Sequence, residues 1–338
     1  MQTRQRQSVA DVAISNRMAI PAQSATRVRA LNRFRFSDAV FRHLTRAAAI
    51  SVLVLLSGVI ISLIQGSLPA LKTFGFDFLF SQRWNPVTEI FGALPAIYGT
   101  LLTSFIAMLI AVPVGLMIAF FLTELCPQWL RRPIGIAIEL LAGIPSIIYG
   151  IWGLFIFAPF LQATLQPFLI NTLGDVPIIG LLFAGPPYGI GILTAGLILA
   201  IMVLPFVTSI SRDVFEAVPS VLKEAAYGLG CTRWEVVRNV VLPYARVGVI
   251  GGLMLGLGRA LGETMAVTFV IGNAHRISAS VLAPGTTISA TIANEFTEAV
   301  GDLYTSALIA LGLILFVITF IVLAAARYML LRIERRIG

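Results

Sequence analysis

Arg259 and Glu263 stand four residues apart in an otherwise apolar stretch, 247–271. On insertion scales a charge at the centre of a bilayer costs about 2.5–3.5 kcal/mol, so a pair retained there calls for a use. At about 1.5 Å per residue, Arg259 lies roughly 18 Å along a helix from Val247. On a continuous helix the i,i+4 spacing puts both charges on one face, where they partly neutralise each other. Gly248, Gly252, Gly256 and Ala266 share that arc, and Ile250, Met254, Leu257, Leu261 and Met265 take the opposite one. Small residues carrying two charges belong against other helices or a cavity. Arg259 offers a permanent positive charge and a planar donor fork suited to an oxyanion. Glu263, followed by Thr264, would orient the fork or accept a proton from a protonated oxyanion. A salt bridge gluing helices together is the structural alternative.

The surrounding elements must be membrane helices. Of 338 residues, 58% are hydrophobic and only 12% charged, with a mean hydropathy of +0.92; a soluble domain carries about 25% charged residues. Six stretches, roughly 47–64, 97–122, 134–161, 188–211, 247–271 and 305–326, are long enough to cross a bilayer, giving an all-α polytopic membrane protein. Twenty Lys and Arg residues fall on the side of the N-terminus and three on the other (Lys72, Arg83, Arg276). The positive-inside rule then places both termini in the cytoplasm. The arginines flank apolar segments, which points to lipid headgroups and not to nucleic acid. The chain divides into a basic tail over 1–46, expected to be disordered, a six-helix domain over 47–326 with a cytoplasmic loop over 212–243, and a basic C-terminal tail over 327–338.

Smaller features carry expectations too. Pro145 should kink span three, and Glu139, about six residues into that span, should snorkel toward Arg131 and Arg132. The outer loops, 65–96, 162–187 and 272–304, are long, and Phe74, Phe76, Phe78, Phe80 and Trp84 suggest folding onto the bundle. His275 and Arg276 read as solvated loop residues. Cys126 and Cys231 form no ligand pattern, and with His43 and His275 both outside the spans, neither a metal site nor an intramembrane enzyme is indicated.

The cytoplasmic loop is compact. An Ala-rich helix is expected over 219–228, with Pro219 at its start and a left-handed residue at Gly230. A second helix over about 232–241 should stop before Pro243. Glu224-Ala225-Ala226, Gly230 four residues on, and Val240-Val241-Leu242-Pro243 together resemble the E-A-A-(x3)-G-(x9)-I-x-L-P signature of ABC importer permeases, with Val240 in place of isoleucine. By that resemblance Glu224, Ala225, Ala226, Gly230, Leu242 and Pro243 couple the permease to an ATPase. The chain has no G-x-x-x-x-G-K-[ST] loop, so it is not itself expected to be an enzyme: ATP and magnesium would be used by a separate subunit, with no cofactor on this chain.

The string Gly256-Leu257-Gly258-Arg259-Ala260-Leu261-Gly262-Glu263-Thr264-Met265-Ala266-Val267 is similar to the fifth-span motif of phosphate-specific ABC permeases, closer to the C-type than the A-type subunit. Trp84-Asn85-Pro86 and the run from Gly143 to Gly150 resemble the same subunit. The resemblance implies a type I ABC importer fold in a bacterial inner membrane, a homologous second permease making a heterodimer, two ATPase subunits and a periplasmic phosphate-binding protein. Arg259, Glu263 and Thr264 would then line the translocation path. Sulfate, molybdate or phosphonate permeases are the neighbouring alternatives. A secondary transporter fits less well, since no repeated half-bundle is visible.

Overall fold

A computed structural model describes the backbone of residues 3–177 and 179–334, with side chains from residue 38 onward except 178, 329 and 333–338. Six helices are long and apolar enough to cross a membrane: Asp38–Phe74, Leu94–Leu125, Ser146–Leu173, Ile192–Glu216, Arg233–Leu261 and Asp302–Arg332, here spans one to six. Among the described residues the fold is all-helical apart from one isolated antiparallel bridge, Asn85 to Ile90.

The chain up to Ser62 forms a unit separate from Leu63–Gly338. The first helix begins at Thr3 and runs to Phe74. The tail is rich in arginine and alanine, good helix formers, and contains no glycine before Gly58. Within this unit Ile50, Val52, Leu53, Val54 and Leu55 are exposed, as befits a helix covered by lipid.

In the larger unit span four is the central helix, with 67% of its most apolar window buried. Span five lies against it through a row of glycines. Gly248 faces Val214, Gly252 faces Ile210, and Gly256 faces Val203 and Val207. A Cβ on Gly252 would sit 2.6 Å from Ile210 Cγ2, so close antiparallel approach depends on the missing side chains. The small-residue arc read from the sequence is therefore a helix-packing face.

Three expectations about the spans need correction. The stretch 134–161 is not one kinked helix. An amphipathic helix, α1 (Gln128–Ala142), ends at Gly143, and span three starts afresh at Ser146 with Pro145 as its N-cap. Proline lacks an N–H and forces Ile144 away from helical geometry, so the helix breaks instead of bending. Glu139 consequently lies on α1, and its Oε1 accepts from Arg212 Nη2 at 2.8 Å, not from Arg131 or Arg132. Gly135 makes room for that arginine, whose Nη1 would lie 2.6 Å from a Cβ there.

Span five also departs from expectation, at both ends. It begins at Arg233, and a π-helical turn at Val237–Val241 carries it through Pro243 without a stop. A wider turn absorbs the proline, which has no N–H to give. At the other end the helix finishes at Leu261, with Gly262 as C-cap (φ −95°, ψ 2°). A loop helix, α2 (Ser220–Gly228), precedes span five, and a short helix, α3 (Met265–Val270), follows the break. Glycines at 258 and 262 weaken the helix there. Leu261, on the bulky arc opposite the charges, is buried at this turn.

The loop after α3 is not a surface excursion. Residues 272–287 run through the protein without helix and lead into α4 (Ile288–Glu295). Leu282, Thr286, Thr287 and Ile288 are buried. The backbone polar groups of this stretch are satisfied by neighbours, as irregular chain at membrane depth requires. Leu193 N donates to Val281 O at 2.8 Å, Gly285 N to Ile271 O at 3.0 Å, and Ile288 N to Thr100 Oγ1 at 3.0 Å. Gly99 on span two packs directly on the Thr286 carbonyl oxygen.

Candidate functional site

Arg259 occupies the last turn of span five. A helix C-terminus carries partial negative charge, which favours a cation there. Its guanidinium lies over the ring of Phe206 on span four, with the central carbon 4.4 Å from the ring centroid. The register explains the contact: one turn beyond Gly256, which rests on Val203 and Val207, the next side chain on this face meets the ring of the same span-four turn. Arg259 Nε is buried and has no hydrogen-bond partner.

Glu263 does not pair with Arg259. Among the described residues no carboxylate lies within 4.0 Å of that guanidinium. The i,i+4 geometry is lost because the helix ends between the two residues. Glu263 N instead reaches Ala260 O at 3.5 Å as the chain turns. Thr264 lies in the turn, with its hydroxyl 3.4 Å from Gly262 O and its carbonyl accepting from Thr268 Oγ1 at 2.7 Å. The break abuts span three: a Cβ on Gly150 would lie 3.2 Å from Met265 O and from Ala266 Cα. The three residues, all half-buried, thus gather at one broken helix, and of the three only Arg259 presents a buried donor, Nε, without a partner among the described residues. A guanidinium held by a ring face keeps its N–H edge available to an oxyanion.

At the basic end of the bundle the loop helix α2 forms with Pro219 as N-cap, and Gly230 follows at φ +87°. Glu224, Ala225, Gly230 and Pro243 are exposed, Leu242 is half-buried and Ala226 is buried, at 8%. Cys231 N donates to the Ala226 carbonyl, 3.2 Å away, closing the knob. Thr232 and Glu235 make a capping box that starts the next helix. Lys223 anchors the knob to the end of span two, its Nζ 2.6 Å from Glu124 Oε1, with both side chains largely buried. Leu229, 86% exposed, and Trp234, 64% exposed, project from the same knob, an apolar surface suited to a groove on another protein.

A second cluster, which sequence reasoning did not find, sits at the opposite end. Glu295, at the end of α4, accepts from Trp84 Nε1 at 2.6 Å and Tyr304 Oη at 2.7 Å, and its other oxygen faces His275 Nε2 at 2.8 Å. The His275 ring stacks on Trp84 with centroids 5.2 Å apart. His275 is thus a packed residue and not a solvated one. Its partners lie far along the chain, which is why no local pattern reveals it. Burial pushes the Glu295 carboxyl up, but the hydrogen bonds from His275, Tyr304 and Trp84, with the charge of His275, outweigh it and hold the group below the usual carboxylate range. Nearby, Phe78 and Phe91 are fully buried while Phe76 and Phe80 are exposed, so only part of the aromatic stretch folds inward, and its first residues up to Phe74 belong to span one. The clue available in the sequence was an indole in Trp84-Asn85-Pro86, which needs an acceptor when enclosed.

The chain matches the family described as binding-protein-dependent transport system inner membrane component over residues 111–335. Its backbone is similar to a chain of the MetNI methionine ABC transporter in inward-facing conformations, with a TM-score of 0.55 and 17% identity, covering 74% of this chain and 99% of that one. A bacterial alginate ABC transporter, in complex with its pentasaccharide-bound periplasmic protein, gives a TM-score of 0.54 at 19% identity over 88% of this chain and 95% of that one. The family match, with the fold it implies, therefore defines a permease component of an ABC importer. In sequence the chain is 70% identical to the phosphate transport system permease protein PstC of Mesorhizobium japonicum over 95% of this chain and 98% of that protein. It is 58% identical to PstC of Pasteurella multocida, over 89% and 94%, and 41% identical to PstC 1 of Mycobacterium tuberculosis, over 79% and 85%. The chain belongs to the binding-protein-dependent transport system inner membrane components, and among them to the PstC phosphate permeases. It is a multi-pass inner-membrane permease, not the ATPase, and such a component works with ATPase and binding-protein partners.

Proposed function

We propose that this chain forms half of the path by which inorganic phosphate is driven inward, and that Arg259 is the counter-charge the anion meets inside the bundle. The observation that carries the reading is a half-buried guanidinium at a helix break whose buried Nε has no partner, and which no carboxylate approaches within 4.0 Å, among the described residues. A permanent cation left unmatched in an apolar bundle is costly, and a transient anion relieves that cost. Glu263 and Thr264, at the same break, line the path. Glu263 accepts the proton of hydrogen phosphate, and a carboxylate there repels sulfate, which has no such proton at neutral pH.

A homologous permease supplies the other half as a heterodimer, and a periplasmic phosphate-binding protein delivers the anion. Two ATPase subunits hold ATP and magnesium, and this chain binds neither. The knob formed by Glu224, Ala225, Ala226 and Gly230, with Leu242 and Pro243 behind it, receives their motion. This assignment puts the basic end of the bundle, and both termini, in the cytoplasm, in accord with the distribution of arginine.

The test is ATP-driven uptake of radiolabelled phosphate by the reconstituted complex. Arg259→Gln should abolish uptake while the complex still assembles; full uptake by that variant refutes the reading, and failure to assemble favours a structural role. Competition by sulfate, molybdate and phosphonate separates phosphate from the other oxyanions. If Glu263→Gln leaves phosphate uptake and sulfate rejection both unchanged, Glu263 has no part in selection.

A further inference from the structure

The geometry points to Phe206 as the positioning residue for Arg259, an inference that rests on the proposed role of that arginine. An arginine in a membrane bundle is usually held by a carboxylate, and here none of the described carboxylates is within 4.0 Å. What holds the guanidinium is the ring face of Phe206, 4.4 Å from its central carbon.

The two kinds of partner differ in a way that matters for transport. A carboxylate bonds the N–H edge of the fork, the same edge an oxyanion needs, and cancels the charge. An aromatic face attracts the cation through its quadrupole and, having no acceptor oxygen, takes no N–H···O bond from the fork. Phe206 therefore holds the guanidinium while leaving charge and donors for the passing anion. It also limits the rotamers of a side chain with several free torsions, so the fork meets phosphate already oriented.

The backbone that carries Phe206 lies in a tight helix crossing. Phe206 lies on span four between Val203 and Val207, the residues that receive Gly256 of span five. The ring is half-buried on span four, and Arg259 reaches it from the last turn of span five.

The experiment is phosphate uptake by the whole reconstituted complex, with its binding protein, for Phe206→Leu and Phe206→Tyr. Leucine keeps apolar bulk and removes the ring face; tyrosine keeps the face. The expected result is a maximal uptake rate lowered about tenfold for Phe206→Leu, within the roughly two- to thirtyfold range of cation–π contacts. Phe206→Tyr should stay within about twofold of the parent. The half-saturating phosphate concentration should not move, because capture precedes the encounter with Arg259. An unchanged rate for Phe206→Leu, or equal losses for leucine and tyrosine, overturns the inference. If Phe206→Leu fails to assemble, Phe206→Met takes its place, with the same expected fall and the same refuting result. Arg259→Gln in the same assay separates the two claims. Uptake by Arg259→Gln removes the proposed role of the arginine, whereas an inactive Arg259→Gln beside a fully active Phe206→Leu removes only the role of the ring.

Discussion

Replacing Glu295 by glutamine should cost the assembled protein several kcal/mol, because the change is nearly isosteric but reverses one side of a filled hydrogen-bond cluster. The carboxylate accepts from the Trp84 indole at 2.6 Å and the Tyr304 hydroxyl at 2.7 Å, and faces His275 at 2.8 Å. Its side chain is only 17% exposed, so water does little to replace what is lost. An amide offers one acceptor oxygen, and its NH2 group must face either His275 or the indole and hydroxyl donors. Hydrogen bonds to a charged group contribute about 1.5–3 kcal/mol each; all three lose that charge, and the amide NH2 matches His275 only if the ring moves its proton to Nδ1. The expected loss is about 3–5 kcal/mol, or a fall on the order of 10 °C in the thermal midpoint of the purified complex. The sign with pH follows from the direction of the shift. The carboxyl sits lower in the folded protein than its unfolded value of about 4.3, so its contribution is fully present above that value and fades as pH falls through the lower, folded one. Thermal midpoints from pH 7 to pH 3 should drop more steeply for the parent than for Glu295→Gln, and the two should converge in acid. A midpoint within 2 °C of the parent at pH 7, or parallel acid profiles, would refute the reasoning.

The other predictions concern the frame. Gly99→Ala places a methyl group on the Thr286 backbone carbonyl, which cannot swing aside as a side-chain tip can; the yield of assembled complex should fall sharply, and a normal yield would show that the inner loop can shift. Lys223→Ala leaves Glu124 buried without its partner at 2.6 Å, a change worth about 3–5 kcal/mol. The double variant Lys223→Ala/Glu124→Ala should recover much of that loss in thermal midpoint, and no recovery would mean the two residues act separately.

What the sequence made legible was governed by short-range rules. Six spans followed from hydropathy, and α2 with its left-handed Gly230 followed from Pro219, the alanines and the glycine, all within twelve residues. The glycine face of span five was read correctly because helical periodicity holds as far as Leu261. The reading failed where the chain departs from a single period. Nothing in hydropathy distinguishes a helix that runs through 262–264 from one that breaks there, and the break dissolves the expected Arg259–Glu263 pair. Gly143 and Pro145 together ended a helix where Pro145 alone was taken for a kink. Partners remote in sequence were out of reach: Glu139 with Arg212 across 73 residues, and Trp84 with Glu295 across 211.

The non-helical stretch 272–287 has a consequence for biosynthesis. Its polar backbone is tolerable in the interior only once Tyr98, Leu182, Ile192 and Leu193 are in place to meet it. Helical spans close their own hydrogen bonds and can leave the translocon one at a time, but this stretch cannot. It must wait in water until the earlier helices have gathered, then slide between them. A nascent chain released just before this stretch would carry five inserted helices around an unplugged gap, a form that quality-control proteases could recognise.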